Sequence, residues 1–155
     1  MKRFISFLVV CVILSGISSV GGVALARAYE PANYINNEIY ISPHASQFLS
    51  SYGAWASRSS SGVLLVEFSV NATTRFERVG ALTITIQERN GSTWRSVATL
   101  GHSTTSGMMG SNAVVHNGRI THSSTAGTEL RAVVTVFAGN VSGDQRTIAT
   151  NSVFV

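Results

Sequence analysis

The sequence has almost no cysteine, lysine or aspartate, and it carries only two prolines. Its single cysteine and single lysine, Cys11 and Lys2, both lie in an amino-terminal stretch that has the pattern of an export signal. A chain that loses this stretch has no disulfide, and it has no thiolate that could bind a metal or attack a substrate. Its stability must come from side-chain packing and from hydrogen-bonded strand ladders.

Residues 1–28 are predicted to be a signal peptide. Two basic residues are followed by the apolar run FISFLVVCVILSG, and small-x-small cleavage sites end at Ala26 and Ala28. We expect cleavage after Ala28, with Ala26 as the alternative, and therefore secretion from the cell. The competing interpretation is an uncleaved membrane anchor, which is disfavoured because serines and glycine interrupt the apolar run.

The charge of the expected mature chain is close to balanced. Without residues 1–28, eight arginines stand against seven acidic residues, so the net charge falls from +4 to about +1. The arginines are scattered along the chain and form no basic patch. This pattern argues against nucleic acid as a partner.

Helical periodicity is missing from residues 29–155, where no stretch repeats apolar residues at spacings of three and four. About seven short segments alternate between apolar and polar residues instead. We therefore predict an all-β domain over residues 47–155, a single antiparallel immunoglobulin/fibronectin-like β-sandwich. Both prolines fall in residues 29–46, which we predict to be an extended leader with an edge strand near Glu38–Ile41.

The clearest alternation lies near the carboxyl terminus, where five apolar residues recur at period two. The predicted row is Leu130, Ala132, Val134, Val136 and Ala138. Gly139–Asp144 is rich in turn-forming residues, and the return strand Arg146–Val155 changes phase near Thr150-Asn151, where we predict a β-bulge. Val63–Val70 is a second clear strand, whose predicted inward residues are Leu64, Val66, Phe68 and Val70.

Two Asn-Gly pairs predict tight hairpins in the middle of the chain. A two-residue turn at Asn90-Gly91 places Ile86 opposite Arg95 and Trp94 opposite Gln87, so that Trp94 points away from the core. The same rule applied to Asn117-Gly118 predicts a second hairpin. In its register, His116 and His122 fall on opposite faces.

Two segments lack either periodicity and are predicted to be connections. Asn71–Gly80 is polar and could cross between sheets, and Gly101–Gly110 is predicted to be a flexible link between the two hairpins.

The end of the chain resembles a fibronectin type III domain. The resemblance lies in Ala126-Gly127-Thr128-Glu129-Leu130, then Ala132 and Val134, then Ala138-Gly139-Asn140. In that family a Pro-Gly-Thr-x-Tyr turn leads into the penultimate strand. Leu130 stands where the family has tyrosine, so the family's corner hydrogen bond has no counterpart, and the strand runs about two residues longer.

The whole chain is also similar to small secreted proteins of Gram-positive, often gut-dwelling, bacteria. The likeness lies in SYGAWAS, ALTITIQERNGSTW, and GTELRAVVTVFAGN followed by TIATNSV. It implies export and a β-sandwich fold, and it implies no particular activity.

The side chains that enzymes use are present but are not arranged as a catalytic or metal-binding pattern. Asp144 is the only aspartate and falls in a predicted turn, and no Gly-x-Ser-x-Gly motif is present. The glutamates are isolated, and His102, His116 and His122 do not have zinc-motif spacing. We expect no catalytic residue, no metal and no cofactor.

Aromatic side chains are the remaining candidates for binding. We select Trp94, Trp55 and Tyr52, because exposed rings stack on sugars or anchor protein partners. The predicted function is that of a secreted, non-catalytic binding protein whose partner is a protein or glycan at a cell surface. The alternative is an antimicrobial or toxin-like protein acting on membranes, against which the near-neutral charge and missing amphipathic helix argue. An enzyme ranks last.

Overall fold

The computed structural model describes residues 39–41 and 46–155, so the predicted signal peptide 1–28 and most of the leader 29–46 lie outside the described residues. The described residues contain no helix, and their eight strands form one antiparallel sheet, which confirms the all-β part of the prediction. The strands are β1 Ile39–Ile41, β2 Leu49–Ser60, β3 Val63–Asn90, β4 Thr93–Gly101, β5 Met109–Ser123, β6 Glu129–Gly139, β7 Gly143–Ala149 and β8 Val153–Phe154.

The central element is β3, a strand of 28 residues. Its first half pairs with β2 and β5, its second half pairs with β4 and β6, and β7 extends the sheet beyond β6. The prediction that Asn71–Gly80 is a connection is wrong, because this segment lies inside β3. Its alternation is lost because Thr73–Arg75 is exposed, while Phe76 and Arg78 still pair with β5 after a register shift.

The core lies on one face of the sheet, which curls over it. The predicted inward residues of Val63–Val70 are all fully buried, and residues from the second half of β3, such as Ile84 and Ile86, join the same cluster. Strand β2 contacts β6, β7 and β8 without pairing with them. Because β3 runs through both halves, the strands hydrogen-bond into one curled sheet rather than two separate ones.

The carboxyl-terminal prediction is confirmed. All five residues of the row on β6 are fully buried. The return strand is interrupted between β7 and β8, at the predicted Thr150-Asn151. There the backbone N–H of Ala132 donates to Thr150 Oγ1 at 3.0 Å, and the Thr150 N–H donates to the Ala132 carbonyl at 2.9 Å. These two bonds hold the interruption against β6.

The first hairpin forms with a register two residues away from the predicted one. Trp94 pairs with Arg89, which places the two-residue turn at Gly91-Ser92. Gly91 has a φ of +60°, whereas Asn90 does not enter the left-handed region that a turn at Asn90-Gly91 would require. A further shift then places Ala98 opposite Ile86. Trp94 still faces away from the core, as predicted, because a two-residue shift in register keeps each side chain on the same face of the sheet.

The prediction of a hairpin at Asn117-Gly118 is wrong. Strand β5 runs through both residues, and Gly118 pairs with Phe68 of β3. A Cβ atom on Gly118 would lie 2.2 Å from Phe68 Cζ and 2.6 Å from the Gly107 oxygen. This glycine therefore makes room for a core phenylalanine instead of forming a turn.

The same correction changes the position of the histidines. His116 and His122 were predicted to lie on opposite faces, but they lie on the same face of one uninterrupted section of β5, six residues apart.

The connection between β4 and β5 is packed against the core, although the sequence predicted a flexible segment. Met108 is fully buried, and its carbonyl accepts the Ala81 N–H at 2.7 Å. The neighbouring Gly107 carbonyl lies 3.0 Å from His116 Nε2. Met108 thus completes the core beside β5.

We expect Gly118→Ala to destabilise the fold by about 1–3 kcal/mol, because the added Cβ overlaps the Phe68 ring. Urea unfolding followed by far-ultraviolet circular dichroism measures the change. Gly101→Ala is the matched control, since its Cβ would meet nothing closer than 3.9 Å. Equal stability of the two variants would contradict this account of Gly118.

Candidate functional site

The structure separates the three predicted binding residues. Tyr52 is 5% exposed and belongs to the core cluster. Trp55 and Trp94 are half-buried and lie on the outer face of the sheet, the face opposite the core. Trp55 lies on β2 against the first half of β3, whereas Trp94 lies on β4 against the second half. The two tryptophans therefore belong to different surfaces.

Trp55 begins a row of side chains that crosses three strands. It pairs with Glu67 on β3, which pairs in turn with Arg119 on β5. The indole Nε1–H of Trp55 donates to Glu67 Oε2 at 2.9 Å. This hydrogen bond fixes the orientation of the ring on the sheet. The row brings an aromatic ring, a carboxylate and a guanidinium to one place.

Two adjacent hollows lie along this row, and together we call them the outer groove. The first has a volume of about 220 Å³, and the second has a volume of about 370 Å³. Arg119 lines both hollows and so lies between them. The first is lined by Trp55, Glu67, Phe68, Asn117, Gly118 and Arg119. The second is lined by Ser59, Leu65, Arg119, Ile120 and Thr121.

The lining of the outer groove mixes apolar surface with groups that form hydrogen bonds. Glu67 supplies an acceptor, Arg119 supplies donors, and the Asn117 amide can supply both. No carboxylate among the described residues lies within 4.0 Å of the Arg119 guanidinium. Among the described residues, the lining contains one carboxyl group, that of Glu67, whereas glycoside hydrolysis uses a pair. The arrangement is suited to holding a polyhydroxylated molecule.

Trp94 has different neighbours. The Arg89 guanidinium carbon lies 5.1 Å from the centre of the indole ring, and that of Arg131 lies 4.3 Å from it. The Nε–H of Arg131 also donates to Gln87 Oε1 at 2.9 Å. The ring is thus engaged by two cations, whereas the sequence prediction required a ring that is free to stack on a ligand.

Asp144 and His116 have structural contacts, His116 through its ring nitrogen near the Gly107 carbonyl. Asp144 accepts hydrogen bonds from Arg146, at 2.8 Å, and from the Ser46 hydroxyl. Within residues 39–41 and 46–155, no group of three or more His, Cys, Asp or Glu side chains could hold a metal ion. The same residues contain no helix that is long and apolar enough to cross a membrane.

Comparison with known proteins gives no match to any protein-family model, curated protein or solved structure. The outer groove must therefore be interpreted from its own side chains.

Tyr52→Ala is expected to lower the free energy of unfolding by about 3 kcal/mol or more, because it removes a buried ring from the core. Tyr52→Phe keeps the ring and is expected to cost less than about 1.5 kcal/mol. Urea titration of both variants checks this. If Tyr52→Ala kept the unfolding midpoint of the parent protein, Tyr52 would not be the core residue described here.

Proposed function

We propose that this chain is a secreted, non-catalytic binding protein that holds a carbohydrate of a cell surface in its outer groove. The observation that carries the proposal is the placement of the Trp55 ring beside the polar groups of Glu67, Asn117 and Arg119. Aromatic rings pack against the apolar C–H face of a sugar, while carboxylate, amide and guanidinium groups exchange hydrogen bonds with its hydroxyls.

The shape of the groove supports a ligand of more than one sugar unit. Its two hollows adjoin at Arg119, and the second hollow has Leu65 and Thr121 in its lining. An oligosaccharide can place one unit against Trp55 and the next beside Leu65, with Arg119 contacting both. A small compact ligand would use only one hollow.

The groove is built on strands, which favours binding without a large loss of conformational entropy. Trp55, Glu67 and Arg119 lie on three adjacent paired strands, and Trp55 is further fixed by its hydrogen bond to Glu67. Groups that are held in place before binding lose less freedom when the ligand arrives.

Secretion and a finer fold assignment belong to the same proposal. The support for secretion is the pattern of residues 1–28, with its basic start, apolar run and small-x-small sites. An immunoglobulin/fibronectin-like sandwich is supported by the way the two halves of the sheet enclose one core, with β2 contacting β6 across it.

A glycan array followed by calorimetry tests the carbohydrate proposal. For the neutral oligosaccharide that the parent protein binds most tightly, we expect Trp55→Ala to weaken binding about tenfold or more, because it removes the stacking ring. Trp94→Ala is the matched control, since it deletes the same side chain from the other half of the outer face and is expected to leave this affinity unchanged.

Two results would contradict the carbohydrate proposal. One is the absence of any neutral glycan ligand for the folded parent protein. The other is a Trp55→Ala variant that keeps full affinity while its circular dichroism spectrum shows an intact sheet.

One observation favours a protein partner as the second candidate. Within the described residues, the 15-residue strand β5 pairs only with β3, so its other edge presents unpaired backbone groups. Val114 and Val115 on this strand are 38% and 50% exposed. A partner could add a strand to this edge, as in β-augmentation.

A photo-crosslinking residue at Val115 tests this second candidate on intact cells. If β5 docks a protein, we expect one discrete crosslinked surface protein, and we expect none when the same residue replaces Val141, which is 99% exposed in the β6–β7 turn. The same products from both positions, or none from Val115, would rule out docking along β5.

A further inference from the structure

A second feature of the outer face lies on the half of the sheet away from the outer groove. Arg89 on β3, Trp94 on β4 and Arg131 on β6 form what we call the Arg–Trp–Arg cluster. Trp94 pairs with Arg89 on the adjacent strand, and its ring reaches across β3 to Arg131. From this cluster we infer a binding site for the sulfate or carboxylate groups of an acidic polysaccharide.

The two guanidinium groups of the cluster contact the same aromatic ring. Both lie within 5.1 Å of the centre of one indole ring. Their distances from that ring put the two guanidinium carbons at most about 9.4 Å apart, so an anion that approaches the ring is attracted by both. The cluster therefore brings arginines of two different strands to one ring, on a chain whose arginines are otherwise scattered along the sequence.

In the part of the chain that the structure describes, no carboxylate neutralises either of these arginines. Among the described residues, Arg89 and Arg131 have no carboxylate within 4.0 Å, whereas the nearby Arg95 forms an ion pair with Glu88 at 2.8 Å. Glu129 is two residues from Arg131 on β6, and it too lies beyond that distance. Arg95 points to the opposite face of β4 from Trp94, so the cluster itself holds two cations that have no paired carboxylate among the described residues.

The orientation of Arg131 is also fixed in advance. Its Nε–H donates to Gln87 Oε1 at 2.9 Å, while its guanidinium lies over the Trp94 ring. This arrangement uses one edge of the guanidinium and leaves its terminal amino groups available. Those groups match the paired oxygens of a carboxylate or sulfate, which is the geometry in which arginine binds oxyanions most strongly.

The site takes an acidic polymer rather than a neutral sugar because its ring is already engaged by cations. A single oxyanion contacting exposed arginines gains little in salt solution, where such contacts are screened. A polymer presents many such groups and holds the next one near the site when one dissociates. The cluster requires no contribution from Trp55 or Arg119, so binding of an acidic polymer at the cluster is independent of binding in the outer groove.

Calorimetry with dextran sulfate tests the inference, with polygalacturonate, unmodified dextran and inorganic sulfate in parallel. We expect binding to one or both acidic polymers, and no binding to dextran. Dextran sulfate alone would assign the site to sulfate groups, and both polymers would assign it to oxyanions in general. Inorganic sulfate is expected to compete weakly.

Single substitutions separate a defined site from general charge attraction. Arg89→Gln and Arg131→Gln are each expected to weaken polymer binding about tenfold, because each removes charge-assisted hydrogen bonds. Arg95→Gln removes the same charge from the residue next to Trp94, whose side chain points to the opposite face of β4 and is paired with Glu88, and we expect less than about a twofold change. Arg131→Lys keeps the charge, loses the fork geometry and is expected to bind more weakly than the parent.

Several outcomes would overturn the inference. The first is that the folded parent protein binds neither acidic polymer. The second is that all three Arg→Gln variants lose affinity for the polymer equally. The third is that Arg131→Lys keeps full affinity while the Arg→Gln variants lose affinity equally. Thermal unfolding of each variant confirms that the sheet is intact. Trp55→Ala is expected to keep full affinity for the acidic polymer, so failure of the carbohydrate proposal and failure of this inference give different results.

Discussion

The hydrogen bonding of β3 on both of its edges is the constraint on which the rest of the structure depends. Strands β2, β4, β5 and β6 all take their register from it. A slip of one residue in the pairing of β2 or β6 would turn the buried apolar row of that strand toward water. The burial of Phe68 in one half and Ile84 in the other therefore holds four other strands in place.

The same strand supplies both proposed sites, because residues that alternate with its buried row must point outward. Glu67 contributes to the outer groove from the first half of β3, and Gln87 and Arg89 contribute to the Arg–Trp–Arg cluster from the second half. A core that uses alternate residues in each half of a long strand leaves the residues between them free to acquire ligand contacts. Binding surfaces on this fold can thus change without altering the core.

The buried positions of alternating strands could be predicted from the sequence. The role of a glycine could not, because glycine occurs both in turns and at close contacts inside strands. Val66 and Val134 were predicted to be buried because only one face of an alternating strand is apolar. Gly118 was assigned to a turn because a glycine after an asparagine is a strong hairpin signal, yet here it makes room for Phe68. That error assigned Arg119 to a hairpin return strand instead of to the strand beside Glu67, and so the outer groove could not be predicted.

The two tryptophans show why the candidate site needed the structure. Both lie on the outer face, and nothing in their own positions distinguishes them. Trp55 meets a carboxylate that accepts its N–H at one edge, and its side chain lines the outer groove. Trp94 meets Arg131, a residue on β6 that is distant in sequence and is brought near only by the pairing of β6 with β3. A tryptophan with cationic neighbours attracts anions through those neighbours. Because strand order determines which side chains surround the ring, it also determines the class of ligand, which the ring alone does not.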